Sequence, residues 1–451
     1  MWGRVVREAT PDAAGTRERD GYLFGIAFTS DPASRVLSHA QWWLPWLAIG
    51  LFIAGGVNVL YLKTFNVYYF WYKPIFNAYS LLISIYIVSR FALASLYRPP
   101  RDVGHCPSVS AVIVCKNEEA SIGRTVDCIA RSFYPADRLE LIAVNDGSTD
   151  ATLAEMERAR ERYPELKIIN FIKNRGKRHG MAAGARLARG EILVYVDSDT
   201  FVRRDAIRKI VQGFADPEVG AVCGHANVAN ARKNLLTKMQ EVRYFVAFRV
   251  VKAAESLFST VSCCSGCLAA YRRNYVMAIL DRWQHQRFLG KEATFGDDRS
   301  LTNFMLRRHP VLYHSEAVCT TIVPETYSNF FRQQLRWKKS WLRESFLASL
   351  FMWRRHPFAA LLFYLGVTFP ICSPLIVANA LVLPLVGYGD ISTLYVYGSL
   401  LMAIMYGLVY LAKYRNGLWV YGVLFAVFYM LILVWQTYYA LCTVRKNHWG
   451  T

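Results

Sequence analysis

The hydrophobic positions of this chain fall into two patterns. Near both ends, apolar residues run almost unbroken: 42–62 (WWLPWLAIGLFIAGGVNVLYL), 75–97 (IFNAYSLLISIYIVSRFALASLY), 358–386, 391–412 and 419–442. At 1.5 Å rise per residue, each of the first four is long enough as a helix to cross a hydrocarbon layer ~30 Å thick. Between them the apolar runs shrink to strand length, as in Val109–Cys115, Leu141–Val144, Ile168–Ile172 and Ile192–Val196, separated by helix-like stretches. Strands alternating with helices predict a parallel sheet covered on both faces, with ligands bound beyond the carboxyl ends of the strands.

Charge orients these pieces. Arg98 and Arg101 follow the second run, and Lys338, Lys339, Arg343, Arg354 and Arg355 crowd the start of the third. Cationic flanks stay in the cytosol, which places the middle region there. The turn Gly387–Asp390 then reads as outside, and Lys413 and Arg415 mark the return. A further span over 419–442 would leave Arg445 and Lys446 outside, against the same rule. Its dense aromatics fit a re-entrant or interfacial segment, with a plain fifth span as the alternative. The predicted organisation is a polar cytosolic tail at 1–40, a transmembrane hairpin at 41–98, a cytosolic α/β domain at 99–340, an interfacial amphipathic segment at 341–357 and a C-terminal transmembrane or interfacial domain at 358–451.

Composition narrows the function classes. Of 451 residues, 54% are hydrophobic and 19% charged, below the ~25% usual in soluble domains. Lys and Arg number 53 against 33 Asp and Glu, a net charge of +20. Such apolar and aromatic content excludes a disordered chain and argues against a nucleic-acid binder. Ten cysteines, single apart from Cys263, Cys264 and Cys267, fit a reducing compartment rather than a disulfide scaffold.

Acidic residues stand where the ligand crevice should open. Asp146 follows the run ending at Val144, and Asp197-Ser198-Asp199 follows the run ending at Val196. Asp197 and Asp199 suit one divalent ion, Mg²⁺ or Mn²⁺, which is commonly held by one or two carboxylates plus substrate phosphates. Alone, such a pair also serves as a helix cap; beside Asp146-Gly147-Ser148 it predicts a nucleotide and metal pocket. Between the two loops, Arg175, Lys177 and Arg178 flank Gly176 and can grip a diphosphate, unless the run is only a solvated face. P-loop and dinucleotide-binding glycine patterns are absent.

Asp297 and Asp298 precede a helical pattern, where one can act as general base toward an acceptor hydroxyl or simply cap the helix. In Gln333-Gln-Leu-Arg336-Trp337, Arg336 can pair with phosphate, and Trp337 offers a flat face for a sugar ring or an interfacial belt aromatic. Cys264-x-x-Cys267 has no second ligand pair with zinc-site spacing, so the loop reads as a close-packed wall of the acceptor site. Arg90, inside the second run, is either functional or a snorkelling side chain.

As a set, Asn145-Asp-Gly-Ser148, Asp197-Ser-Asp199, Gly296-Asp-Asp-Arg299 and Gln333-x-x-Arg336-Trp337, in this order and flanked by membrane runs, resemble the processive family 2 glycosyltransferases. Within that family, Leu280–Trp283, Gln286–Gly290, Gly296–Asn303 and Arg336–Ser340 resemble hyaluronan synthases, and Thr443–Thr451 is similar to their W-G-T-R element without its final Arg. The resemblance covers roughly 42–451. It implies a GT-A (Rossmann-like) cytosolic domain inserted into an α-helical multi-pass membrane domain. It further implies that Asp146 contacts the uridine, that Asp197 and Asp199 serve the diphosphate and the metal, that Lys177 contacts the donor phosphates and that Asp298 is the base. Gln333, Arg336 and Trp337 would close over the nucleotide and place the acceptor sugar. Cys264, Ser265, Gly266 and Cys267, with Asp297 and Arg299, would border the acceptor. The missing Arg leaves closure of the nucleotide gate open.

The implied reaction is inverting transfer from UDP-N-acetylglucosamine and UDP-glucuronate to a growing polysaccharide, with Mg²⁺ or Mn²⁺, at the plasma membrane and by a monomer in the lipid bilayer. Rival readings are a chitin-oligosaccharide, poly-N-acetylglucosamine or cellulose-type polymerase, and, from another class, a transporter with a catalytically dead domain.

Overall fold

The computed structural model describes residues 44–69, 74–389 and 391–445. The expected 1–40 tail and the Trp449-Gly450-Thr451 end lie outside the described residues. Trp46–Tyr68, Pro74–Leu96, Pro357–Leu385 and Tyr395–Tyr414 are helices long and apolar enough to cross a membrane. They coincide with the first four apolar runs, and the chain is a membrane protein. Small residues let these helices approach closely: Gly366 sits on the Tyr86 hydroxyl, where an added Cβ would lie 2.6 Å away. Lys63, costly in lipid, is buried against Gly398 and donates to the Ser80 hydroxyl.

The last apolar run is broken. Trp419–Leu431 and Leu433–Cys442 meet at Ile432 and bend by 51°. Trp419–Leu431 has 13 residues, a length of ~20 Å that falls short of a ~30 Å hydrocarbon layer on its own. The second half packs along the Tyr327–Met352 helix.

The central domain is built on an eight-stranded sheet. Its strands are β1 (Val109–Cys115), β2 (Leu139–Asp146), β3 (Lys167–Phe171), β4 (Ile192–Asp197), β5 (Thr200–Val202), β6 (Ala221–Val228), β7 (Ala269–Arg272) and β10 (Val311–Thr321), in the order β3-β2-β1-β4-β7-β6-β10-β5. A separate hairpin pairs β8 (Arg287–Phe288) with β9 (Lys291–Glu292). All four strand-length runs read from the sequence are strands, and β3, β2, β1 and β4 are mutually parallel. The sheet is mixed rather than wholly parallel, because β7 runs antiparallel to β4 and β6, and β5 antiparallel to β10. Every residue of β1 is buried, as expected for a strand covered on both faces.

The chain leaves β1 toward β2 on one side and returns to β4 on the other, so a crevice opens at their carboxyl ends. The Lys177–Leu187 helix reaches that crevice because Gly180 and Gly184 let it lie directly on Val114 and Val112 of β1; a Cβ at Gly180 would stand 2.5 Å from Val114. The Tyr327–Met352 helix runs unbroken for 26 residues. The boundary expected at 340/341 therefore falls inside one helix, for the physical reason that neither Gly nor Pro interrupts it.

Candidate active site

The crevice is shaped first by backbone. Gly147, at φ +65°, follows Asp146 where any Cβ would collide with Lys173 and Asn174. This close approach brings the Asn174–Gly176 loop onto the end of β2. Asp146 accepts the amide N–H of Arg175 at 2.7 Å on one oxygen and that of Gly176 at 2.9 Å on the other. Asp146 is buried, so its contribution here is to hold the loop that starts the Lys177–Leu187 helix.

That loop delivers Lys177 to the end of β4, where its ammonium pairs with Asp197. Burial pulls the lysine pKa down, but Asp197, Asp298 and Asp297 outweigh it and hold the ammonium charged. Burial lowers the pKa of Arg336, and the same three carboxylates oppose that shift. Asp199 shows the opposite imbalance. Burial, then Asp197 and Glu118, push its carboxyl up to about 7. A half-buried carboxyl raised by the negative charge of Asp197 and Glu118 is relieved by a cation. No group of three His, Cys, Asp or Glu suited to a metal occurs among the described residues, so this donor set suits an ion completed by phosphate oxygens.

The two adjacent acids of the 295–299 segment part company. Gly296 adopts φ +76° against Ser340 and Arg343, where a side chain would collide, and starts the Asp297–Leu306 helix. Asp298 is half-buried; one oxygen accepts the Arg299 amide at 2.8 Å and the other lies 3.8 Å from the Cys263 sulfur. Asp297 turns inward and pairs with Arg178 at 2.8 Å, with both side chains under 5% exposed. The expectation that Asp297 borders the acceptor is thereby corrected: successive helical residues point about 100° apart, and the buried guanidinium takes this one. Arg178 also donates to the Trp283 carbonyl and to Gln286, and Gln286 reaches Glu344 at 3.1 Å. Glu344 accepts from Arg343 and Asn303. This buried network ties the start of the Asp298 helix to the helix carrying Arg336 and Trp337.

The Cys263–Cys267 loop forms the wall beside Asp197. Cys264 is fully buried, and its amide donates to Thr302; its expected place at the acceptor is corrected, because the side chain belongs to the core. Ser265 is held by Lys252, whose ammonium donates to its hydroxyl at 2.8 Å and to the Cys263 carbonyl at 2.5 Å. Cys267 is half-buried, and the Cys263 sulfur lies beside Asp298. Gly266 lies directly on Asp197: an added Cβ would stand 2.8 and 3.0 Å from its two carboxylate oxygens. Gly266→Ala must therefore displace Asp197, and transfer is expected to fall about 100-fold with the fold intact. Initial rates and melting temperature of the purified variant check this; an unchanged rate contradicts it.

On the Tyr327–Met352 helix, Trp337 remains 37% exposed, and Gln333 presents a buried carbonyl oxygen without a hydrogen bond. Arg178, expected among the cations that grip a diphosphate, is instead the buried partner of Asp297, and sequence reasoning missed Lys252 and Glu344 as organising groups. Lys252 between the apolar pairs Val250-Val251 and Ala253-Ala254 was the available signal, since a buried ammonium needs partners.

A crevice of this kind on a GT-A sheet, joined to membrane-crossing helices, defines a membrane-embedded glycosyltransferase. Residues 110–280 match Glycosyl transferase family 2. Over 394 residues the chain is 30% identical to hyaluronan synthase of Streptococcus pyogenes, spanning 86% of this chain and 93% of that one. The chain belongs to glycosyl transferase family 2, and within it is similar to hyaluronan synthases. An N-acetylglucosaminyltransferase of Rhizobium meliloti is 33% identical over 293 residues, 63% of this chain and 68% of its own. In fold, the chain is similar to a mannosyltransferase from Pyrobaculum calidifontis solved with GDP-Man and Mn²⁺, at a TM-score of 0.53 and 22% identity over 86% of this chain and 99% of that one.

Proposed function

We propose that this chain is a processive, inverting polysaccharide synthase that joins N-acetylglucosamine and glucuronate from their UDP donors into hyaluronan. The acceptor hydroxyl attacks the anomeric carbon as the bond from that carbon to the diphosphate oxygen breaks. Asp298 takes the hydroxyl proton, and Lys177 and Arg336 balance the charge that develops on UDP. The observation that carries this reading is that Lys177 and Arg336 both lie within the field of Asp197 and Asp298, so leaving-group cations and a base share one cleft. Asp146 serves the uridine pocket by fixing the Arg175–Gly176 loop. Trp337 carries the acceptor sugar with Gln333 beside it, and Ser265, Gly266, Cys267 and Arg299 border it. Asp197 and Asp199 would hold Mg²⁺ or Mn²⁺, which supplies positive charge to the diphosphate.

In this reading the catalytic domain is cytosolic, the polymer leaves through the membrane helices of a single chain in the plasma membrane, and synthesis is coupled to export. The match to an N-acetylglucosaminyltransferase favours one rival, a polymer of N-acetylglucosamine alone. UDP release by purified chain separates them: sustained turnover only with both UDP-N-acetylglucosamine and UDP-glucuronate supports hyaluronan, and full turnover with the first donor alone supports the rival.

The raised Asp199 carboxyl gives a second check. Without an ion, the native state keeps a proton that the unfolded chain releases above about pH 4, so stability falls as pH rises toward 7. An ion competes with that proton. Mn²⁺ is therefore expected to raise the melting temperature over a chelator control more at pH 8 than at pH 6; equal shifts contradict the assignment.

A further inference from the structure

Arg243 lies on the Leu235–Phe245 helix, which packs against the broken C-terminal helix through Val242 on Gly422. It therefore stands between the Trp337 platform and the broken C-terminal helix. Its guanidinium is 5.3 Å from the centre of the Trp337 ring and 5.5 Å from that of Phe425. One guanidinium nitrogen, Nη1, is buried without a hydrogen-bond partner. Nearby, Lys338 donates to the Leu433 carbonyl and to Thr437, and lies 5.1 Å from the Tyr429 ring. Arg243 and Lys338 repel each other, and neither forms an ion pair with a carboxylate among the described residues. Two cations enclosed by aromatic rings, with a guanidinium donor unsatisfied, make a costly arrangement unless an anion visits it. A planar guanidinium is suited to bind a carboxylate.

We propose that Arg243, assisted by Lys338, binds the carboxylate of a uronic-acid unit of the polymer once that unit has moved past Trp337 toward the membrane helices. This inference rests on the hyaluronan reading, because a polymer of neutral sugars offers no such anion. By holding the product between successive additions, the contact makes chain growth processive without touching the bond-forming atoms. Tyr429 and Phe425 supply apolar ring faces along the same path.

The test uses the purified full chain with both donors, measuring product length on gels alongside initial UDP release. Arg243→Gln is expected to leave initial UDP release within about twofold, yet shorten the polymer at least about tenfold, the scale of one lost charge-assisted hydrogen bond. Arg243→Lys, which keeps the charge, is expected to restore most of the length. Wild-type length in Arg243→Gln overturns the inference, as does a Lys variant as short as the Gln variant. If Arg243→Gln loses UDP release or fails to fold, Lys338→Gln decides, with a shortened polymer expected and wild-type length overturning the assignment. Failure of the underlying reading is recognised separately, since wild-type enzyme would then make long polymer without UDP-glucuronate.

Discussion

Asp298→Asn is expected to lower polymer formation by about 10²–10⁴-fold, the range for losing a positioned general base. The amide keeps the shape of the carboxylate, and its oxygen can still accept the Arg299 N–H that Asp298 accepts at 2.8 Å. The start of the Asp297–Leu306 helix should therefore hold. The pair formed by Lys177 and Asp197 is untouched, so affinity for UDP should change little. Initial transfer rates together with UDP titration by calorimetry separate the two effects. Retained transfer would remove Asp298 from the chemistry, and lost UDP binding would mean that it serves the donor.

Arg178→Ala is expected to act on folding. It leaves Asp297 charged and unpaired in a site where both side chains are under 5% exposed; removing one partner of such a pair costs about 3–5 kcal/mol. Because Arg178 also holds the Trp283 carbonyl and Gln286, the helices carrying Asp298 and Trp337 lose their common anchor. The expected outcome is a large fall in melting temperature in detergent and little folded protein. The double variant Arg178→Met with Asp297→Asn should recover part of the loss, since no lone charge stays buried. A stable Arg178→Ala protein with only its acceptor affinity weakened would instead return Asp297 to the acceptor site.

These two residues mark where the sequence was readable and where it was not. The four parallel strands β1 to β4 and the four long membrane helices were legible because burial forces continuous apolar runs of characteristic length, and Asp146 and Asp197 stand at the ends of two such strands, whereas the parallel pair β6 and β10 was not read. The order of the acidic motifs was legible for the same reason. Asp297 was not, since adjacent carboxylates look alike in a sequence and its partner lies 119 residues away. The pair Cys264 and Cys267 posed the same problem inside a loop, where no periodicity says which side chain enters the core. The antiparallel β7 escaped notice because its four residues are too short to show a pattern. The unbroken Tyr327–Met352 helix was hidden by a change from catalytic to apolar residues that changes surroundings, not backbone.

The proposed activity joins two different sugars into one polymer within one cleft. Its most direct test is incorporation of labelled sugar into high-mass product by membranes containing this chain, with each UDP-sugar alone and with both. Polymer is expected only when UDP-N-acetylglucosamine and UDP-glucuronate are present together, with complete digestion of that polymer by hyaluronidase. High-mass polymer from UDP-N-acetylglucosamine alone, resistant to hyaluronidase, would contradict it.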